Sequence, residues 1–387
     1  MTIDDNSSAV SMNEAGYAMF FPVIFIMIGV VGAIGNTLVC VVIASAITRS
    51  KRSNVNLLIL HQAFIDGVTS VVLFLSYTLP VPYIPKTGGW GEFLCRMWVY
   101  ESLLWMLFVV STYNLCMMSL ERFVAVAYPL TYSTKFNQRT SILMILFCWI
   151  IAPLLHYFYP VGDNYNDGGV CKSRGNRVVL AAVGIMVFFW EFFIPLVIMT
   201  VVYVRIVCLL RKQHQRVQGS SANTGHQDRQ NGQPRQHSRV SPDRSGARKE
   251  DSQNTSTHQQ PNGEQHQQHG QQRPHHQQQR RPPAQFQKVR HNVTFTLLAV
   301  FIMYVVCWLP NHLTFLQHGF EGPLDYGGIW FNVSLVLAYL NMSINPLIYA
   351  LKYKLFREGF KRLFCVFGCS SATHSDTVRT TSGSERS

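Results

Sequence analysis

Seven long apolar stretches divide the chain, lying near residues 20–46, 55–79, 97–120, 140–160, 178–210, 291–317 and 328–350. Each is long enough to cross the hydrocarbon core of a bilayer, which takes about 20 residues of helix. In hydrocarbon the backbone must satisfy its own hydrogen bonds, so each stretch is predicted to be helical. The expected fold is an all-α membrane protein, a bundle of seven transmembrane helices. No basic segment precedes the first stretch and no small-residue cleavage site follows it, which favours a retained helix over a signal peptide.

Basic residues are concentrated on one side of these helices. The first, third and fifth connections are basic, through Arg49, Lys51, Arg52, Lys135, Arg139 and a long polar block. The N-terminus and the sixth connection are acidic, through Asp4, Asp5, Glu14, Glu321 and Asp325. Because Lys and Arg favour the cytoplasmic side, the N-terminus is predicted outside and the C-terminus inside a multi-pass plasma-membrane protein.

The chain is therefore divided into an extracellular N-terminus (1–19), a seven-helix domain (20–350), an amphipathic helix (353–367) and a Ser/Thr-rich cytoplasmic tail (368–387). Residues 212–287 interrupt the domain with Gln, His, Arg and Ser and few groups to bury, so this loop is expected to be disordered. Its region from Arg211 to Arg290 holds 14 Lys/Arg and 5 Asp/Glu but one aromatic residue, Phe286. Nucleic-acid binding needs a folded basic face or interleaved aromatics, so no nucleic-acid partner is expected.

Four cysteines lie outside the apolar stretches. Cys95 and Cys171 both fall on the predicted outer side, where an oxidising environment allows a disulfide to persist. Cys365 and Cys369 follow the amphipathic stretch on the inner side, where palmitoylation of cysteine is expected. The basic side chains of the amphipathic stretch are expected to contact membrane lipid. Asn6 begins an Asn-Ser-Ser glycosylation sequon in the outer N-terminus.

Polar groups inside the apolar stretches indicate a moving helix bundle. Asn345 and Pro346 stand side by side in the last stretch. Proline removes a backbone hydrogen bond at a cost of about 3 kcal/mol, and asparagine in hydrocarbon needs a partner. Such a helix is predicted to bend around a polar contact. Asp66 is likewise a carboxylate deep in the second stretch, which is costly unless it is paired.

Together these motifs resemble the rhodopsin-like (class A) G-protein-coupled receptors over about residues 20–367, apart from the polar block. The shared residues occur in family order and spacing: Gly35-Asn36, Asp66, Cys95, Ser111, Glu121-Arg122-Phe123, Pro129, Trp149, Pro195, Tyr203, Cys307-Trp308-Leu309-Pro310 and Asn345-Pro346-Leu347-Ile348-Tyr349.

The resemblance implies a ligand-gated receptor that acts on heterotrimeric G proteins, with arrestin and receptor kinases as further partners, and no enzyme activity or resident cofactor. It implies one exception, a bound sodium ion in a pocket formed by Asp66, Ser111, Asn341 and Asn345. It also implies a G-protein switch made by Glu121, Arg122, Tyr203, Pro346 and Tyr349. A transporter or a non-signalling seven-helix scaffold is the alternative class.

Three departures from the family pattern stand out. Cys95 and Glu121 are 26 residues apart, about two more than in most members, which leaves the register of the outer third helix open. Tyr304 replaces the usual phenylalanine below Trp308, and Thr112 replaces an aliphatic residue opposite it. The core between ligand site and switch is therefore more polar than is usual, and basal activity is expected to differ.

The ligand site is expected near the outer mouth. Leu104 stands where amine receptors carry aspartate, which argues against monoamines, whereas Glu101 and Glu191 favour a peptide or other ligand with a basic group. Glu191 is the expected primary contact, with Glu101 at the watery rim; a bridge from Glu191 to a neighbouring helix, or a neutral lipid ligand, remains the alternative. The remaining candidate ligand residues are Phe108, Trp308, His312 and Tyr339.

Overall fold

Among the residues that the computed structural model describes, seven helices are long and apolar enough to cross a membrane. The structure describes residues 5–49, 54–173, 177–230, 284–321 and 328–363. The spans, numbered first to seventh in chain order, are Met19–Thr48, Asn54–Thr78, Ser102–Ala127, Gln138–His156, Ala181–Gln213, Asn292–Gln317 and Ile329–Lys352. The seven-helix membrane fold predicted from the apolar stretches is confirmed.

Most spans lie within longer helical elements. The helices run over Asp5–Thr48, Asn54–Thr78, Gly89–Leu94, Ser102–Ala127, Pro129–Lys135, Gln138–Asp163, Arg177–Val187, Ile194–Gln230, Ala284–Glu321 and Ile329–Lys352, with π turns at Cys95–Val99 and Phe188–Phe193. The fifth-span helix thus continues to Gln230, into the segment for which disorder is expected. The chain divides into two compact units, and of the second, His214–Pro283, the structure describes only the helical part up to Gln230.

The third span begins after a break in the helix. Cys95–Val99 forms a π turn, Glu101 takes a left-handed conformation (φ 54°), and the regular helix starts at Ser102. A π turn holds more residues than an α turn, and the left-handed residue restarts the helix. The long spacing between Cys95 and Glu121 is therefore accommodated at this break, and Glu101 is not part of the regular helix.

A disulfide joins this break to the connection between the fourth and fifth spans. Strands β1 (Asn164–Asp167) and β2 (Val170–Ser173) pair antiparallel across a turn whose Gly168 and Gly169 both have positive φ. Cys171 in β2 is bonded to fully buried Cys95, with Cα atoms 5.5 Å apart. The predicted disulfide is confirmed, and it holds the hairpin against the start of the third span. This part of the molecule is called the disulfide end below, and the opposite part, which holds Arg122, the arginine end.

Replacing Cys95 by serine is expected to reduce surface expression strongly. Loss of a native disulfide typically costs about 2–5 kcal/mol, and here it would also release the hairpin. Flow cytometry of an epitope-tagged receptor measures the effect, with Cys208→Ser as control because Cys208 is an exposed free thiol. Normal surface levels of the Cys95 variant would contradict the expectation.

The first span lies very close to the second and seventh. A Cβ added at Gly32 would come within 2.6 Å of Ser343 Oγ, and one at Gly35 within 3.0 Å of Pro346 Cγ. This approach lets Asn36 Nδ2 donate to the Met342 carbonyl at 2.9 Å. Met342 lies four residues before Pro346, which has no N–H to donate to it. The first span therefore satisfies a carbonyl that the bend in the seventh span leaves open.

A short helix at 354–363 follows the seventh span. Phe356 is buried and stacks on Phe360, whereas Lys354, Lys361 and Arg362 are exposed. The amphipathic helix is confirmed over these residues. Residues 364–387, with Cys365, Cys369 and the Ser/Thr-rich tail, lie outside the described residues, and so does the side chain of Asn6.

Candidate functional site

Asp66 is the centre of a buried polar cluster midway through the bundle. Its carboxylate is 1% exposed and accepts hydrogen bonds from Ser111 Oγ at 2.9 Å and Asn345 Nδ2 at 2.8 Å. Gln62 Nε2, one turn away on the same helix, lies 3.0 Å from both carboxylate oxygens. Within the described residues, the side-chain oxygens of Asn341 and Asn345 have no hydrogen-bond partner. The structure thus brings Asp66, Ser111 and Asn345 together and adds Gln62 to them, while Asn341 precedes Asn345 by four residues on the seventh span.

Arg122 is held at the arginine end by its sequence neighbour. Glu121 is fully buried, Arg122 is 5% exposed, and two guanidinium nitrogens donate to the Glu121 carboxylate. The Tyr132 hydroxyl, on the short helix Pro129–Lys135, donates to Glu121 and lies 3.4 Å from Arg122 Nη2. Removing one partner of a buried ion pair costs several kcal/mol because the other charge is left uncompensated. Arg122 is therefore restrained until another group replaces Glu121.

The two tyrosines predicted to act with Arg122 are not bonded to each other. Tyr203 is buried, stacks on Phe301 at 5.3 Å, and its hydroxyl accepts a bond from Ser119 at 3.2 Å. Tyr349 is fully buried, and its hydroxyl has no partner in the described part of the chain. This arrangement leaves the Tyr349 hydroxyl available for a different packing of the arginine end.

Aromatic rings fill the bundle towards the disulfide end. Phe108 contacts Trp308 edge-on with ring centres 5.0 Å apart and stacks on Tyr339 at 6.0 Å. Trp105 lies 6.3 Å from Trp308 and 6.2 Å from Tyr339. Leu104 is fully buried in the same core. Four of the predicted ligand residues are therefore neighbours or share one core, and Trp105 belongs with them.

Two of the candidate ligand residues, Tyr339 and His312, carry polar groups but are buried. Tyr339 is 0% exposed and His312 is 4% exposed. His312 lies between the rings of Phe192, 5.0 Å away, and Trp308, 5.5 Å away. These rings shield it from water, and the His312 Nδ1 atom finds no partner within the described chain.

Glu101 turns into the bundle rather than into water at the rim. The Tyr339 hydroxyl donates to Glu101 Oε2 at 3.3 Å, and the Tyr77 hydroxyl is hydrogen-bonded to the same carboxylate. The left-handed conformation at Glu101 redirects its side chain towards these second- and seventh-span tyrosines. Burial raises the pKa of the Glu101 carboxyl, and the two tyrosine bonds oppose that rise. The ionised form is thus under-compensated and would gain from a nearby cation.

Glu191 contacts a neighbouring helix, as the alternative interpretation of the sequence has it. Its side chain is 9% exposed, and its Oε1 atom lies 3.1 Å from His156 Nδ1 of the fourth span. The next residue, Phe192, packs on Tyr304 and His312 of the sixth span. The π turn at Phe188–Phe193 sets these directions, so Glu191 faces the fourth span while Phe192 faces the aromatic cluster.

Tyrosine hydroxyls support the backbone of that π turn. Pro195 has no N–H, so it cannot donate to the carbonyl of Glu191 four residues earlier. The Tyr304 hydroxyl donates to this carbonyl at 3.2 Å and is also bonded to Thr112. Tyr113 donates to the carbonyl of Trp190 at 3.0 Å. The two polar departures from the family pattern, Tyr304 and Thr112, therefore form one hydrogen-bonded contact between the third, fifth and sixth spans.

Replacing Tyr304 by phenylalanine is expected to destabilise the receptor. The change removes one oxygen atom from a fully buried side chain and leaves the Glu191 carbonyl without that donor, at a cost of about 1–3 kcal/mol. A thermal melt of purified receptor measures the loss, and Tyr83→Phe is the matched control because Tyr83 is 82% exposed. Equal melting temperatures for the two variants would show that the Tyr304 hydroxyl does not support the turn.

Sequence reasoning missed Trp105, Tyr77, His156 and Gln62. Trp105 directly follows the candidate residue Leu104, and Tyr77 lies at the end of the second apolar stretch. His156 carried a usable signal, since an ionisable side chain in an apolar stretch needs a partner such as Glu191. Gln62 precedes Asp66 by four residues, a spacing that brings two side chains together on a helix.

Comparison with known proteins gives one family and several relatives. The family model described as the 7 transmembrane receptor (rhodopsin family) matches residues 35–349. The histamine H2 receptor of Cavia porcellus is 25% identical over 98% of this chain and 89% of its own length. The galanin receptor 2a of Danio rerio is 23% identical over 91% of this chain, and the allatostatin-A receptor of Bombyx mori 24% identical over 89%; each match covers 79% of the relative.

Proposed function

This chain belongs to the rhodopsin family of seven-transmembrane receptors, whose members are signalling receptors and not enzymes, and we propose that the ligand of this receptor carries a basic group. The ligand reaches the bundle from outside the cell, at the disulfide end. The N-terminus lies outside and the C-terminus inside the plasma membrane, as the distribution of Lys and Arg favours. The arginine end is then where a heterotrimeric G protein binds.

Charge at the disulfide end supports a cationic ligand. Glu92 forms an ion pair with Arg96, and Asp167 forms one with Lys172. Glu191 lies beside the His156 imidazole, a basic side chain that is a cation only when it is protonated.

Glu101 differs from these three acids. The hydrogen bonds that the described residues make to the Glu101 carboxylate come from neutral tyrosine hydroxyls, those of Tyr339 and Tyr77. A partly buried carboxylate with neutral partners is the one observation that carries the proposal, because a cation is the partner it lacks.

Aromatic rings beside Glu101 suit the same ligand. Trp105 and Tyr339 lie 6.2 Å apart, close to the acid that Tyr339 binds. Cations are attracted to the faces of such rings, and more strongly where water is excluded. The relatives named above are receptors for histamine, galanin and allatostatin-A, so the comparisons favour neither an amine nor a peptide. The shared feature that we propose is the basic group.

The remaining partners follow from the family and from the tail. Tail serines and threonines supply phosphoacceptors for receptor kinases and thereby a binding site for arrestin. The exposed basic residues of the helix at 354–363 favour contact with anionic membrane lipid.

A paired library tests the ligand class. Cells expressing the chain with promiscuous G proteins are exposed to small amines and short peptides with a free basic group, each beside its acetylated, uncharged form. Activation by charged members that acetylation removes would support the proposal. Equal activation by both forms of a pair would favour a neutral or lipid ligand. Transport of a library member without G-protein activation would favour a transporter.

A further inference from the structure

The Asp66 cluster offers a direct test of whether a sodium ion suits this chain. Like other hard cations, sodium takes oxygen ligands. The Asp66 carboxylate and Ser111 Oγ would be the central ones. In the structure the Gln62 amide nitrogen faces all three of these oxygens: 3.0 Å from each carboxylate oxygen, and in a short hydrogen bond to Ser111 Oγ. An N–H donor therefore lies where the ion would have to be coordinated.

The orientation of the Gln62 amide is fixed by Asn114 of the third span. Asn114 Nδ2 lies 3.1 Å from the Leu58 carbonyl and 2.7 Å from Gln62 Oε1. A carbonyl can only accept, so the Asn114 atom that faces Leu58 must be the nitrogen. That nitrogen then donates to the Gln62 oxygen, and the Gln62 nitrogen is left to face Asp66.

His61 and Trp149 fix Asn114 from the other side. Trp149 Nε1, which can only donate, lies 2.9 Å from His61 Nε2. The other ring nitrogen, His61 Nδ1, therefore carries the hydrogen and donates to Asn114 Oδ1 at 3.0 Å. From Trp149 through His61, Asn114 and Gln62, every donor points towards Asp66.

Turning Gln62 to offer its oxygen to a cation would reverse this chain locally. The Gln62 nitrogen would then face Asn114 Nδ2, so that two donors oppose each other in a fully buried site. Leaving buried polar groups unpaired costs about 1–3 kcal/mol for each group. The residues present therefore do not fit a resident sodium ion in this conformation.

We propose that the Gln62 carboxamide is the resident partner of Asp66 in this chain and that it excludes sodium from the pocket implied by the family resemblance. Ser111 and Asn345 complete the hydrogen bonding of the carboxylate. Testing this role of Gln62 requires neither a known ligand nor a known G protein, so the result is independent of the proposed function.

Thermal melts of purified full-length receptor in sodium chloride and in potassium chloride of equal ionic strength test the proposal. Wild type is expected to melt at the same temperature in both salts. Gln62→Met keeps the side-chain length and removes the donor, so it should gain selective stabilisation by sodium. At a sodium concentration ten times the dissociation constant, the ratio of folded to unfolded receptor rises about tenfold.

Three further variants make the outcome decisive. Gln62→Met/Asp66→Asn should lose the sodium response, because the carboxylate that attracts the ion is gone. Thr69→Val is the matched control, since Thr69 is fully buried on the same helix and, within the described residues, its hydroxyl bonds locally to the Ile65 carbonyl. Asn114→Ser leaves Gln62 in place but frees its oxygen, so a smaller sodium response is expected even if Gln62→Met does not fold.

Two results would overturn the proposal. One is wild-type receptor stabilised by sodium as strongly as Gln62→Met. The other is folded Gln62→Met, or folded Asn114→Ser, that shows no response to sodium at all, since Gln62 would then not be what excludes the ion.

Discussion

Arg122→Ala is expected to reduce nucleotide exchange on the partner G protein to the level of cells without receptor. The guanidinium is buried against Glu121 and beside Tyr132, and it is a permanent charge that can exchange one partner for another. A nucleotide-exchange assay on membranes with matched receptor amounts measures the effect. Exchange at the wild-type rate would show that Arg122 is not part of the switch.

Stability must be separated from signalling in that experiment. Alanine at 122 leaves the fully buried Glu121 carboxylate without its cation, which typically costs about 3–5 kcal/mol. The double variant Glu121→Gln/Arg122→Ala removes both charges and should recover expression without recovering exchange. Glu121→Gln alone is the opposite control: it releases Arg122 and should raise ligand-independent exchange.

Glu101→Gln is expected to weaken the most potent charged agonist from the library by about ten- to a hundredfold. A hydrogen bond to a charged group contributes about 1.5–3 kcal/mol, and each 1.4 kcal/mol is about a factor of ten in affinity. The amide oxygen of glutamine still accepts from Tyr339, so the fold around the site should be kept. Concentration–response curves at matched surface expression give the shift.

Glu191→Gln is the matched control, because Glu191 is a buried acid at the same end whose side chain meets His156. It should change surface expression or basal activity while leaving agonist potency within about threefold. A larger loss for Glu191→Gln than for Glu101→Gln would place the cation at the fifth span. Unchanged potency in both variants would indicate a ligand recognised without its charge.

The fold was predictable because hydrophobicity and backbone hydrogen bonding constrain it strongly. All seven apolar stretches correspond to spans, Ser111 and Asn345 bond to Asp66, and Arg122 bonds to Glu121. These predictions depend on periodicity and on motif spacing, which a sequence displays directly.

The directions of the two outer glutamates were not predictable in the same way. A regular helix would send Glu101 to the rim and Glu191 to the central face. A left-handed residue at Glu101 and a π turn around Glu191 reverse both directions. Each break rotates the side chains that follow it, and the three- and four-residue periodicity of a regular helix does not include such a rotation.

The supported prolines have a consequence for how this bundle could change shape over evolution. Pro346 leaves the Met342 carbonyl without a helical N–H donor, and Asn36 of the first span donates to it. Pro195 does the same to the Glu191 carbonyl, to which Tyr304 of the sixth span donates. The curvature of one helix is thus encoded partly in the sequence of another. A single substitution at such a remote donor could restraighten or loosen a helix without altering any residue of that helix, so inheritance of helix shape need not follow inheritance of helix sequence.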